Sequence, residues 1–392
     1  MSVDLGAECA LHEDEMVAFR RRLHANPELS GREHATTDEL VSRLQVAGLE
    51  PHVLASGTGV VCDIVGDPSG PLVVLRADID ALAMEDHTDT AYRSTNPGAA
   101  HACGHDAHTA IVLGAGLALC NVKSSLPGVV RLVFEPAEES MPGGAVEIVD
   151  AGWVDGARAV FGLHCDPKIE VGSVGLRVGA ITAASDRATI EVFGPGGHTA
   201  RPGLTVDLVR LLGTLAYELP DLYIERLAAD GAAVLVFGAV AAGDAANVIP
   251  AHGRLAGAAR CTDPIAWQRS ELVMRELLTE LIEPTGAQWK LTYERGMPSV
   301  INDGLATKYL QQGAASVLDV EHIVDTPQSM GADSFAWYGQ RAPASYARLG
   351  THTPGSQMLD LHASSFDIDE RAIGIGMQFL AKSAMTALVS GP

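Results

Sequence analysis

The chain has 392 residues, 47% of them hydrophobic, and carries 27 Lys and Arg against 49 Asp and Glu for a formal net charge of −22. Domains run to about 100–200 residues, so this length points to two of them. The hydrophobic content excludes extended disorder, and the acidic balance, which repels phosphate backbones and anionic lipid, excludes nucleic acid and membrane surfaces as partners.

The opening stretch MSVDLGAECALHEDEMVAF has neither a basic start nor a continuous apolar run. It therefore reads as neither signal nor transit peptide, and the expected location is the cytoplasm. The six cysteines form no Cys-x-x-Cys pair and read as free thiols, with Cys62, Cys120 and Cys261 filling the core and Cys165 packed. Over residues 13 to 47, Met16, Phe19, Leu23, Leu40 and Leu44 recur at helical spacing, interrupted at Asn26-Pro27. Nearly continuous apolar runs follow, VVCDIVG, PLVVLRAD, VVRLVFE and RAVFGLH, with a helix over 106–120. Such runs suit strands buried on both faces of a largely parallel sheet with helices between.

From Ser185 the texture changes. ATIEVFG alternates as a half-exposed strand, TVDLVRLLGTLAYEL has helical spacing, and AAVLVFGAV and NVIPAHGRLAGAAR read as strands. A helix from Pro264 to about Leu281 and the strand AQWKLTYERG complete the set. Strand, helix, strand, strand, helix, strand is the split βαβ, ferredoxin-like order. The expected fold class is thus α/β: a mixed, largely parallel sheet sandwiched by helices, in residues 1–183 and 297–392. It is interrupted by an α+β ferredoxin-like domain at 184–296.

In open α/β sheets ligands bind beyond the carboxyl ends of the strands. PLVVL ends in Arg76-Ala-Asp78-Ile-Asp80, VVRLVF in Glu135-Pro-Ala-Glu138-Glu139, and RAVFGL in His164-Cys165-Asp166. HACGHDAHTA, residues 101–110, precedes a helix and puts His105 and Asp106 in its first turn. On its own this stretch leaves three chemistries open: metal ligation, a Cys103 nucleophile with His101 or His105 as base, or a polar helix start in which Asp106 is the cap. His101 and His108 read as structural. On most surfaces Glu138 and Glu139 would be a solvated pair. Behind a buried run stopped by proline, however, they repel unless a cation or a proton separates their roles. One carboxylate on a divalent cation and the other accepting a proton from water resolves the conflict.

RADIDAL, HACGHDAHTA, EPAEE, the His164 strand end, GPGGHTARP, NVIP and LHASSFDID, in that order, resemble the aminoacylase and carboxypeptidase-like family of di-metal amidohydrolases. The branch they resemble contains amino-acid-conjugate hydrolases, hippurate hydrolases and N-acetyl-diaminopimelate deacetylases. The similarity runs from RRLHANPELSGRE, at about Arg21, to about Asp369. The resemblance implies a catalytic domain with a ferredoxin-like lid. It implies that Cys103, His105, Glu139, His164 and His362 bind two divalent ions per subunit, with Cys103 near or between both, and that Glu138 is the general base. His198, in Gly-Gly-His-Thr, would stabilise the oxyanion, and Asn247 and Arg260 would contact substrate. Asp78 and Asp80 are assigned to orienting the ligands. A thiolate, imidazole and carboxylate set favours zinc, and accepts manganese, cobalt or nickel.

The implied reaction is hydrolysis of an N-acyl L-amino acid to a carboxylic acid and a free amino acid. The alternatives are a dipeptidase or carboxypeptidase of the same family, and a non-catalytic conjugate-binding protein. Relatives imply a homodimer or higher oligomer through the lid. The chain departs from the family's common residues at Ala83, Ala100, Glu135 and Gly331-Ala332-Asp333, none of which is an expected ligand or the base.

Overall fold

Three of the apolar runs, joined by Ala344–His352, form the parallel centre of an eight-stranded sheet, and the fourth, Val60–Val65, flanks it antiparallel. In the computed structural model, which describes residues 4–227 and 233–391, the strands lie side by side in the order His52–Val53, Val60–Val65, Val129–Glu135, Leu72–Asp78, Ala159–Glu170, Ala344–His352, Val174–Leu176, Ile323–Asp325. The first three residues of the N-terminal stretch and Ala232 of AAVLVFGAV lie outside the described residues. The strands Val129–Glu135, Leu72–Asp78, Ala159–Glu170 and Ala344–His352 are mutually parallel. Their apolar side chains, among them Val73, Val74, Leu132, Phe134, Val160 and Phe161, are fully buried on both faces. This is why the runs are continuous rather than alternating.

Register aligns the strand ends. Asp78 pairs with Glu135, and Arg76 pairs with Gly162, so His164 stands level with Asp78 and opposite Arg348. His164 is not the end of its strand, as its apolar pattern suggested. The strand continues to Glu170 because Ala344–His352 keeps pairing with it, Cys165 to Leu349 and Asp166 to Gly350. Backbone hydrogen bonds prolong a strand past the point where its side chains stop being apolar.

The chain divides into two compact units, one of Met1–Ile181, Val300–Pro327 and Ser334–Pro392, the other of Thr182–Ser299 with Gln328–Asp333. The last segment joins the second unit because Gln328 donates to the Thr182 and Thr262 carbonyls and Arg260 donates to the Met330 carbonyl. In the first unit, helices Glu13–Ala25, His105–Asn121, Gly304–Ala315 and Arg371–Val389 cover one sheet face, and Ala145–Asp150 lies on the other. Helix Arg371–Val389 is long and apolar enough to cross a membrane, but 67% of its apolar window is buried among its neighbours, as in a core helix.

Helix His105–Asn121 is buried almost throughout. A Cβ at Gly114 would meet Met377 Cε at 2.6 Å, and one at Gly116 would meet Leu132 Cδ1 at 2.4 Å. Gly116 lets the helix lie directly on strand Val129–Glu135, and Gly114 lets helices Arg371–Val389 and Glu13–Ala25 approach it closely.

In the second unit the strands lie in the order Ala233–Ala242, His252–Cys261, Ala184–Phe193, Gln288–Met297, all antiparallel, with helices Leu208–Leu227 and Pro264–Ile282 packed on them. This is the ferredoxin-like order. Helix Leu208–Leu227 outruns its expected end at Leu219, passing through Pro220. Proline there forfeits one helical hydrogen bond, but the apolar stripe Leu215, Leu219, Tyr223, Leu227 remains buried and sustains the helix. A separate two-stranded ribbon pairs Gly197–His198 with Val248–Ile249.

Substituting Gly116→Val should force helix His105–Asn121 off Leu132 and lower the unfolding free energy by about 1–3 kcal/mol, read from urea or guanidinium titrations. The same change at exposed Gly213, where a Cβ meets nothing within 4 Å, should not show this overpacking penalty.

Candidate metal centre

The site begins at Gly104, whose φ of 87° precedes helix His105–Asn121. Only glycine suits both that conformation and the space, since a Cβ would lie 2.9 Å from Cys165 Sγ. The turn presents Cys103 and His105 to the same place. His105 Nδ1 lies 3.1 Å from the Asp80 carbonyl and 3.2 Å from its Oδ1, so it carries a proton there and Nε2 is the nitrogen turned to the cluster. That Nε2 is buried and has no hydrogen-bond partner. His164 is arranged alike: Nδ1 donates to the Cys165 carbonyl at 2.7 Å, and Nε2 faces Cys103 Sγ at 3.4 Å.

Glu139 and His362 approach from two loops. The Glu139 backbone N–H donates to Asp80 Oδ2 at 3.0 Å, and its Oε1, buried without a hydrogen-bond partner, lies 3.9 Å from His105 Nε2 and 3.4 Å from His362 Nε2. His362 adopts φ +62°, unusual for a non-glycine residue, and its N–H donates to the Ala102 carbonyl at 2.7 Å. Glu138, almost fully buried, accepts the Ser334 N–H on Oε1 at 3.0 Å.

Ligand atoms of Cys103, His105 and His164 lie within 4.8 Å of one another, as do those of Cys103, Glu139 and His362, and of His105, Glu138 and Glu139. Cys103 is shared by the first two sets. A fourth set, Asp78, His105 and His108, is equally close but already paired. Asp78 accepts from Arg76 at 2.6 Å and from His108 Nδ1 at 2.6 Å, while His108 Nε2 accepts the Cys165 N–H at 2.8 Å. With both ring nitrogens used, His108 is a support.

Electrostatics follow the same division. Burial alone would raise Asp78, but His105, Arg76 and His108 outweigh it and hold the carboxyl well below the usual range. Burial, reinforced by His108 and Arg348, holds His164 neutral. Burial likewise drives the Cys103 thiol up, against the pull of His105. A divalent cation beside a thiol reverses that tendency and deprotonates it. Buried, unpartnered Nε2 and Oε1 atoms beside a thiol and a second imidazole therefore suit a bound cation.

Asp106 is neither a helix cap nor a ligand. Gly104 takes the cap position, and the Asp106 carboxylate accepts Arg20 Nε at 2.7 Å and contacts His24 Nδ1 at 2.8 Å. Arg20 also donates to Asp367 at 2.6 Å, so one buried guanidinium ties the helix carrying His105 to the loop carrying His362. His101 is buried behind the site, where burial holds its imidazole down at about 4.

The second unit holds the three remaining residues. His198 and Asn247 are exposed neighbours on the ribbon, where His198 pairs with Val248 and the Thr199 N–H donates to the Asn247 carbonyl at 3.3 Å. His198 Nδ1 accepts the Ala200 N–H at 3.0 Å, leaving Nε2 as a donor. Arg260 is not with them. It sits near the far end of strand His252–Cys261, roughly 26 Å along from His252 at strand rise.

Motif reading missed Arg20, His24, Ser30, Glu33 and Ser334. A signal existed for Arg20, which lies on the apolar face of its helix with Met16, Phe19 and Leu23 and so had to find a buried counter-charge. Ser334 acts on Glu138 through its backbone N–H, which leaves no side-chain signature.

A largely parallel α/β sheet with such a donor cluster at its strand ends has the form of a metal-dependent hydrolase. Residues 74–386 match peptidase family M20/M25/M40, and the chain belongs to that family. It is 36% identical over 378 residues to the N-acetyl-L-cysteine deacetylase of Bacillus subtilis (strain 168), a match covering 96% of this chain and 89% of that one. It is 42% identical over 378 residues to a Rhodococcus jostii (strain RHA1) protein named as a glutamate–cysteine ligase. That match takes in 96% of this chain but only 47% of the relative, so the chain spans about half the length of that protein. Among solved structures, the YXEP protein of Bacillus subtilis, described as a dinuclear metal-binding peptidase of family M20, superposes with a TM-score of 0.83 at 31% identity, over 97% of this chain and 99% of that one.

The Asp106 pair sets a pH dependence. Burial pushes this carboxyl up, but Arg20 and His24 outweigh it and hold it far below the usual range. Its stabilising contribution is therefore complete above the unfolded value of about 4 and is lost as pH falls towards the folded one. Asp106→Asn should reduce the slope of unfolding free energy against pH below pH ~4 by up to about 1.4 kcal/mol per unit, measured by denaturant titration across that range.

Proposed function

We propose that the chain hydrolyses the amide bond of N-acyl L-amino acids, releasing a carboxylic acid and the free amino acid. The observation that carries this reading is the division of labour between adjacent carboxylates: Glu139 Oε1 turns towards His105 and His362, while Glu138 is pinned by the Ser334 N–H. Cys103, His105, Glu139, His164 and His362 would hold two divalent ions, zinc on ligand softness. When bound, such ions lower the pKa of a water and polarise a carbonyl.

Glu138 takes the proton of the attacking water on its carboxylate and returns it to the departing nitrogen. Asp80 keeps the proton on His105 Nδ1, and Asp78 does the same for His108, so the imidazoles hold their orientation through turnover. His198, with Nδ1 occupied by the Ala200 N–H, offers Nε2–H to the tetrahedral oxyanion. Asn247 and Arg260 are assigned to the substrate, Arg260 retaining further N–H donors beyond the one given to Met330.

The second unit is assigned as the lid and as the surface of a homodimer. Its outer strand Ala233–Ala242 supports this, since it leaves Val236 and Val240 exposed on an unpaired edge. Cytoplasmic residence fits a chain whose six cysteines are free, because a ligating thiol must stay reduced. The N-acetyl-L-cysteine deacetylase relative, matched along most of its length, supports the substrate class. The ligase name is not carried over, because more than half of that relative lies outside the match.

Two outcomes are expected when the metal-reconstituted chain is assayed for free amino acid released from N-acetyl, N-benzoyl and long-acyl conjugates. Glu138→Gln should lower kcat by roughly 10²–10⁴ with bound metal unchanged. His198→Ala should lower it by roughly 10²–10³. No release from any conjugate would end this reading, and faster cleavage of free dipeptides would move it to a dipeptidase.

A further inference from the structure

The segment RRLHANPELSGRE contributes no ligand, yet several of its side chains are buried behind the site. Glu33 is fully buried at the residue before helix His34–Val46, the N-cap position, which Ser, Thr, Asp and Asn fill better than glutamate. Here it makes no cap bond. Glu28 satisfies the helix start instead, accepting the N–H groups of Ala35 at 3.0 Å and Thr36 at 2.8 Å. Glu33 Oε1 is directed elsewhere and accepts the N–H of Gly31 and, far along the chain, of Ala137, both at 2.8 Å.

Ala137 is the residue before Glu138 and stands at φ +55°, a conformation L residues rarely adopt. The loop from Glu135 therefore turns at Ala137, and that turn decides where Glu138 and Glu139 point. Past the turn, Glu138 is pinned by Ser334 and the Glu139 N–H by Asp80 Oδ2. Ser30, three residues before Glu33, donates to the same Asp80 Oδ2 at 2.6 Å. The loop 30–33 thus braces the acidic turn at two points.

We propose that Glu33 is a positioning residue for the general base: its carboxylate holds Ala137 in the left-handed conformation that aims Glu138 at the water. This rests on the reading of Glu138 as base. A purely structural carboxylate would contribute to stability without favouring kcat over KM, and the two roles separate on four variants of the metal-loaded enzyme.

With an N-acetyl amino acid as substrate, Glu33→Ala should lower kcat at least ~10-fold while KM stays within ~3-fold, since misplacing a reacting group costs rate before binding. Glu33→Gln keeps a carbonyl acceptor for the Ala137 N–H and should stay within ~3-fold of the parent kcat. Ala137→Gly in the Glu33→Ala background should recover at least ~3-fold of the loss, because glycine holds positive φ without help. If Glu33→Ala does not fold, Ala137→Val resists the same φ from the other side of the hydrogen bond and should reproduce the kcat loss.

Parent-like kcat in whichever of Glu33→Ala and Ala137→Val folds would overturn the proposal. So would equal losses in the Ala and Gln variants with no recovery on Ala137→Gly. Glu138→Gln, run alongside, separates the failures: if it turns over normally, the reading of the base is wrong, and if it is inactive, the kinetics of the Glu33 variants alone decide whether that carboxylate positions it.

Discussion

Asp80 is the point at which the geometry of the site is decided. One buried carboxylate stands beside His105 Nδ1 through Oδ1 and accepts the Glu139 backbone N–H and the Ser30 hydroxyl through Oδ2. The first contact fixes which ring nitrogen of His105 carries a proton towards Asp80, and hence which nitrogen faces the cluster. The second fixes the backbone of the residue whose Oε1 faces that nitrogen. Burial would raise Asp80, but its bonds to His105, Ser30 and Glu139 outweigh it and hold it below the usual carboxylate range. A charge that costs desolvation is retained because it orders three groups from three parts of the chain.

The orphaned atoms around Asp80 explain what this order is for. Buried polar atoms almost always find partners, so His105 Nε2 and Glu139 Oε1, both buried and lacking hydrogen bonds, call for a specific account. They converge with Cys103 and His362, and such a set of acceptors without donors is what a cation satisfies. The surrounding carboxylates are already paired: Arg76 lies between Asp78 and Glu135, and Arg20 between Asp106 and Asp367. His105 Nε2 and Glu139 Oε1 are left unpartnered where ligand atoms meet.

The fold was legible to the extent that burial wrote itself into periodicity. The continuous runs 60–65, 72–78 and 129–135 and the alternating strand Ala184–Phe193 carry their environments in their side chains. What the pattern could not convey depends on backbone pairing or tertiary packing. The strand past His164 is sustained by its neighbour, and the helix past Pro220 by Tyr223 and Leu227. In the site, Glu138, Glu139 and His164 stood out because ionisable residues at the ends of apolar runs are conspicuous, and Cys103 and His105 because they crowd one short stretch, whereas the role of each, and His362 altogether, came through the family resemblance. Glu33 and Ser334 did not stand out, since each acts by a hydrogen bond to or from backbone, and nothing in residue type announces such a bond. Arg20 stood on an apolar helix face and could have been found by asking where its counter-charge lay.

If this donor cluster holds the divalent ions on which amide hydrolysis depends, metal content and activity must move together, and the most direct measurement follows both on one sample. The chain is stripped by exhaustive chelation, its metal content is determined by plasma emission, and Zn²⁺ is then titrated back while amino acid release from an N-acetyl amino acid is recorded. The expected result is no hydrolysis from the stripped chain and recovery that tracks the binding of two ions, with Cys103→Ser failing to regain either. Undiminished hydrolysis by the chain freed of metal would contradict it.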